Sequence, residues 1–166
     1  MLFRSLQSEI PIEKVKNLFC NETGFQTPKL DTRAAIFKDD KILLVKEKNG
    51  TWSLPGGWVD INQSIKTNTE KEVKEEAGLD VTADHVIAVQ DREKHNLPIY
   101  AYKVCKIFML CEVEGGVFKE NSETIGFDYF TKDNLPILAT EKNNEEQIQM
   151  CFDAYKAGEK WKTYFD

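Results

Sequence analysis

The stretch LPGGWVDINQSIKTNTEKEVKEEAGL, residues 54–79, decides how the rest of this chain is read. It opens on a proline and two glycines, where the backbone must bend sharply and where amides and carbonyls stand open to a phosphate or a metal. It closes on Gly78, a natural helix stop, so the residues from about Ser64 onward read as one helix. Only Ile65, Val73 and Ala77 in that helix are apolar, and burial alone does not explain it. At about 100° per residue, Glu75 falls about 60° to one side of Glu72 and Glu76 about 40° to the other, which gathers the carboxylates on one face. Mutual repulsion opposes such a group unless a cation resolves it. Oxygen-only donors select hard ions, Mg²⁺ first and Mn²⁺ second. The same residues also read as a solvated helix laced by pairs such as Glu70 with Lys74 and Lys71 with Glu75.

Outward from this stretch, strands predominate. Thr32 to Phe37 and Lys41 to Lys48 are strand-like and are separated by Asp39 and Asp40, a tight hairpin. Asn49 and Gly50 make a second turn before the short strand Trp52 to Leu54. Beyond the helix, Leu79 to Gln90 is rich in β-branched residues, and Tyr102 to Val113 is the strongest strand, with Gly115 and Gly116 expected as the turn after it. A strand from Phe127 to Thr131, a turn at Asp133 to Pro136 and a helix from about Asn144 to Lys156 complete the pass. Before all of these, Ile12, Val15, Leu18 and Phe19 stand at helical spacing and predict a short amphipathic helix within Ser8 to Phe19, followed by a linker. Residues 1–29 are therefore read as an extension and 30–166 as the main domain. Hairpins mixed with helices, without βαβ alternation, predict an α+β fold with a mixed sheet. Its core is expected from Ile36, Ile42, Leu44, Val86, Ile107, Met109, Phe130 and Ile148.

Composition narrows the function. The 166 residues suit one domain, and 41% apolar with 30% charged residues is the balance of a folded protein. The formal charge of −6 repels long polyanions, so duplex nucleic acid is not an expected partner. Neither a membrane-length apolar run nor a signal-peptide core is found, so no membrane partner and a cytoplasmic location are expected. Cys20, Cys105, Cys111 and Cys151 are too widely spaced for a zinc site or a disulfide framework. The chain has three arginines, Arg4, Arg33 and Arg92, and the planar guanidinium suits phosphate, which makes Arg33 and Arg92 ligand candidates. His95, beside Arg92 and Lys94, is a further phosphate-site candidate. Trp52, Trp58, Tyr100 and Tyr102 have the faces to stack on a base, with core packing as the competing role. The N-terminal helix and an aromatic tail, Trp161, Tyr164 and Phe165, offer surfaces for a homodimer.

Residues 54–79 resemble the signature of the Nudix hydrolases: a glycine, five residues, Glu, seven residues, then Arg-Glu-aliphatic-any-Glu-Glu-any-Gly-aliphatic. Gly57, Glu72, Val73, Glu75, Glu76, Gly78 and Leu79 stand in their places, whereas Gln63 replaces the first glutamate and Lys71 the arginine. The resemblance implies the Nudix fold, a mixed β-sheet between helices, reaching from Leu30 to about Lys156. It implies Mg²⁺ held by Glu72, Glu75, Glu76 and the Gly56 carbonyl, and water attacking a phosphorus of a diphosphate. The implied substrate is a nucleoside diphosphate joined to another group, of CDP-choline or ADP-ribose type, cut into a nucleoside monophosphate and a phosphorylated remainder. Glu123 is the candidate for a further ligand or base, with Glu112, Glu114 and Glu120 as competitors. The Gln63 and Lys71 departures motivate a second reading, a non-catalytic nucleotide-binding module on the same fold.

Overall fold

A computed structural model describes residues 11–14, 26–117 and 124–166. The chain forms strands β1 (Lys29–Lys38), β2 (Lys41–Glu47) and β3 (Trp52–Ser53), helix α1 (Ile65–Ala77), strand β4 (Leu79–Asp91) and a single-turn helix α2 (Arg92–His95). Strands β5 (Val104–Gly116) and β6 (Thr124–Phe130), helix α3 (Glu145–Ala157) and strand β7 (Tyr164–Phe165) follow. The strand order is β3-β2-β1-β5-β4-β7, with β6 on the other edge of β2. The β1/β5 and β4/β7 pairs are parallel and the others antiparallel, so the mixed α+β architecture is as expected.

Alternation along the strands builds two cores. Ala34, Ile36, Leu43, Val45, Ile107 and Met109 face α1, through Val73 and Ala77. Ala35, Ile42, Leu44, Phe108 and Ala88 face α3, through Ile148, Cys151 and Phe152. Of the expected core, Val86 and Phe130 are only partly buried at the margins. Asp39 and Asp40 adopt φ of 50° and 57°, the left-handed conformation that a two-residue hairpin needs. Helix α1 is bounded as its residues demand: Ser64 and Thr67 exchange a capping box, and Gly78 closes the helix at φ 70°.

One expectation is corrected. Gly115 and Gly116 are not a turn but the last rungs of β5, opposite Asp80 and Leu79; a Cβ on Gly116 would stand 2.4 Å from the Gly78 carbonyl oxygen, so the glycine permits close pairing rather than reversal. The helix α2 was missed because one turn is too short for a periodic signal. In the aromatic tail, β7 pairs with β4 and the Trp161 indole donates to the Ile87 carbonyl, while Tyr164 and Phe165 stay exposed. The N-terminal helix lies outside the described residues apart from one turn at 12–14. No described helix is long and apolar enough to cross a membrane.

Candidate active site

Residues 55–59 run beside β1 as an extra, irregular strand. Thr32 N donates to Gly57 O (2.9 Å), Ala34 N to Pro55 O (2.8 Å), and Val59 N to Leu30 O (2.9 Å). Gly56 sits at φ 147°, and a Cβ there would lie 1.9 Å from the Thr32 carbonyl oxygen, so only glycine fits. At Gly57 a Cβ would meet Glu72 Oε2 at 2.7 Å. The bend is thus shaped by β1 on one side and by a carboxylate on the other.

Helix α1 reaches this bend through polar contacts, which explains why so few of its residues are apolar. Asn68, fully buried, donates to Thr32 Oγ1 (3.0 Å) and accepts from Asp60 N (3.0 Å). Glu76, 6% exposed, accepts from Gly56 N at 2.8 Å. Burial, only partly offset by Arg33 and by that amide, pushes Glu76 up to about 7. Glu72 is also raised, burial outweighing its attraction to Lys71. Glu75 is different. Its side chain is 59% exposed, and it accepts from Lys71 Nζ at 3.0 Å.

Lys71, at the arginine position of the signature, lies among Glu75 (3.0 Å), Glu72 (3.3 Å) and Asp60 (3.3 Å). Hydrogen bonding to Glu75, with smaller help from Glu72 and Asp60, holds its pKa above the ordinary value. Consequently the three glutamates share one end of the helix without converging: Glu76 turns to the bend, Glu75 to solvent, and Glu72 lies between. Among the described residues no three acidic, histidine or cysteine side chains stand close enough to grip one ion in this arrangement. The donor chemistry nevertheless suits a hard cation: Glu72 and Glu76 offer oxygen donors whose charged forms are disfavoured by burial, and the Lys71 ammonium already lies among Asp60, Glu72 and Glu75.

Past the bend, a cavity of about 190 Å³ is lined by Arg33, Trp58, Arg92, Tyr100, Lys106 and Lys142, with Asp31 and Glu141 among them. Arg33 and Asp31 form a buried two-point pair, Nε to Oδ2 at 3.0 Å and Nη2 to Oδ1 at 2.8 Å. Burial opposes both charges, but their mutual attraction wins, lowering Asp31 and raising Arg33. Arg92 stacks on Tyr100 at 3.4 Å and gives its N–H groups to the carbonyls of Glu141 and Pro98. Both arginines thus border the cavity with donors engaged by the protein itself. Trp58, 48% exposed, stands edge-on to Tyr102 (5.9 Å). His95 lies elsewhere, its Nε2 2.6 Å from Asp166 Oδ2, at a hollow beside α3. Glu123 lies outside the described residues. Sequence reasoning missed Asp31 and Lys106; the signal for Lys106 was a lone charge inside the apolar run VCKIFML.

A model of the NUDIX domain matches residues 27–151. YjhB of Bacillus subtilis (strain 168), provisionally named an ADP-ribose pyrophosphatase, is 41% identical over 160 residues, 96% of this chain and 76% of its own. The crystal structure of an ADP-ribose pyrophosphatase from Streptococcus suis 89-1591 is 54% identical with a TM-score of 0.79, covering 84% of this chain and all of that one (100%). The structure of a UDP-X diphosphatase is 30% identical with a TM-score of 0.80, covering 99% of this chain and 83% of that one. The glycine bend, the glutamate helix and these likenesses agree along most of the sequence, and the chain belongs to the NUDIX family as a hydrolase of pyrophosphate bonds.

Proposed function

We propose that the protein is a Mg²⁺-dependent pyrophosphohydrolase that cuts a nucleoside diphosphate joined to a second group, of ADP-ribose type ahead of CDP-choline type, into a nucleoside monophosphate and a phosphorylated remainder. One observation carries the reading: the Gly56–Gly57 bend is clasped between β1 and the desolvated carboxylates Glu72 and Glu76. The preference for ADP-ribose over CDP-choline rests on the Streptococcus suis likeness.

Glu72, Glu75, Glu76 and the Gly56 carbonyl would hold the metal, with Mn²⁺ as a substitute. The chemistry that Mg²⁺ would supply there is to offset phosphate charge and to make a bound water more acidic. The chain's own residues do the rest. Glu76 fixes the bend through the Gly56 amide, and Lys71 neutralises the outer acids Glu72 and Glu75. Glu72, against the Gly57 side of the bend, and Glu75 are the candidates to take a proton as well as to hold the ion. Trp58 presents an exposed indole for stacking on the base. Glu123 stays the candidate additional base.

The test is hydrolysis of ADP-ribose, CDP-choline, UDP-glucose and a short capped RNA, each with Mg²⁺ and with EDTA. Turnover of ADP-ribose that requires Mg²⁺ and disappears in Glu75→Gln is expected. Tight nucleotide binding with no turnover of any substrate would overturn the reading.

A further inference from the structure

Lys106 stands in the middle of β5, 1% exposed, opposite Asp31 on β1 and Gln90 on β4. An ammonium carries three donors, and burial without acceptors is costly. Its nearest charge, Asp31 Oδ2, is 3.7 Å away, beyond hydrogen-bonding distance, and that oxygen already accepts from Arg33 Nε at 3.0 Å. Gln90 gives its carbonyl to Gln147 at 2.9 Å. Among the described residues nothing else approaches the ammonium closely enough to accept.

The cavity beside it has the complementary property. Arg33, Arg92, Lys106 and Lys142 border it against Asp31 and Glu141, an excess of cations in a chain that is negative as a whole. Arg33, Arg92 and Lys142 are each engaged, the last with Glu47 at 2.7 Å. Among the described residues, Lys106 is the one of the four whose ammonium makes no hydrogen bond, its ion pair with Asp31 standing at 3.7 Å. Trp58, next to the Gly56–Gly57 bend, lines the same cavity, so a molecule held at the bend reaches it directly.

We propose that Lys106 is a substrate-contacting residue whose ammonium binds a phosphate oxygen of the diphosphate in this cavity. The proposal rests on the pyrophosphohydrolase reading for the identity of the ligand, while the cavity and the unspent donors stand apart from it. A charge-assisted hydrogen bond formed in a desolvated site changes affinity about 10- to 100-fold.

Two measurements on the full chain test it. In steady-state hydrolysis of ADP-ribose, Lys106→Met raises KM about 10- to 100-fold and leaves kcat within about threefold, and Lys106→Arg recovers part of the loss. In protein carrying lysine labelled with carbon-13 at Cε, the Lys106 resonance is assigned by its loss in Lys106→Met. Without metal, it is followed as inorganic phosphate, AMP or ribose 5-phosphate is added. It moves with at least one of them, and which one names the half of the substrate that is held. A KM within twofold of the wild type, or a resonance unmoved by all of the phosphates, overturns the proposal. If the wild type hydrolyses no diphosphate, the functional reading fails by itself and the resonance still decides the role of Lys106.

Discussion

Replacing Lys106 with methionine should stabilise the protein, and the gain should depend on pH. Burial, reinforced by Arg33 and only partly opposed by Asp31, pushes Lys106 from 10.5 down to about 7. A base whose pKa is lower in the folded state than in the unfolded one carries a penalty wherever it is charged in both. That penalty is complete below about pH 7 and fades as pH rises toward 10.5. At about 1.36 kcal/mol per pH unit its ceiling is about 5 kcal/mol. Water in the cavity relieves part of it, so a gain of about 1 to 4 kcal/mol is expected at pH 6. Methionine keeps the length of the stem while Asp31 retains its two-point pair with Arg33. Urea denaturation in EDTA at pH 6, 8 and 9.5 reads the difference, since every other lysine is common to both proteins and cancels. Lys106→Met should be more stable at pH 6 and approach the wild type at pH 9.5. A loss of stability at pH 6, or a difference that is flat across the range, would refute the desolvation argument.

Gly56→Ala forces a methyl group to 1.9 Å from the Thr32 carbonyl oxygen, and a cost of about 3 kcal/mol or more is expected in a thermal melt together with loss of turnover. Glu72→Gln keeps the shape of the side chain and removes its charge. It should lower ADP-ribose turnover at least about 100-fold while circular dichroism stays native, and retention of more than a tenth of the activity would argue against Glu72 as a ligand. Lys71→Met withdraws the ammonium that lies among Asp60, Glu72 and Glu75. Mn²⁺ titration followed by electron paramagnetic resonance should then show binding about threefold to tenfold tighter, consistent with weak exposed ion pairs, whereas weaker binding would mean that Lys71 helps assemble the site.

Local chemistry made much of the fold legible. Ser64 and Gly78 bound α1, Asp39 and Asp40 turn the first hairpin, and Asn144 begins α3, because each of these residues acts on the backbone within a few positions of itself. The glutamate-bearing helix was legible for the same reason: the spacing of Glu72, Glu75 and Glu76 fixes where their Cα atoms lie. Where the carboxylates point was not. Glu76 turns inward because the Gly56 amide is offered from 20 residues away, and Glu75 stays out because Lys71 holds it. The roles of Arg33 and Arg92 were equally hidden, since nothing in the sequence shows that their donors are taken up by Asp31, Leu54, Pro98 and Glu141. Gly115 and Gly116 misled because a glycine pair signals reversal unless a neighbouring strand requires close approach, and that neighbour comes from the other end of β4.

Strand β1 is claimed by several partners at once: β5 along Lys29 to Ile36, β2 at its end, and the 55–59 strip through the amides of Thr32 and Ala34. Its parallel mate begins at Val104, 75 positions downstream of Lys29. A chain emerging from the ribosome can therefore close the first hairpin and cap α1 early, but the strand that seats the glycine bend gains its inner neighbour only after β5 has been synthesised. Competence for hydrolysis is acquired late and all together, and a nascent polypeptide arrested before that strand should carry the signature helix without any of its catalytic power.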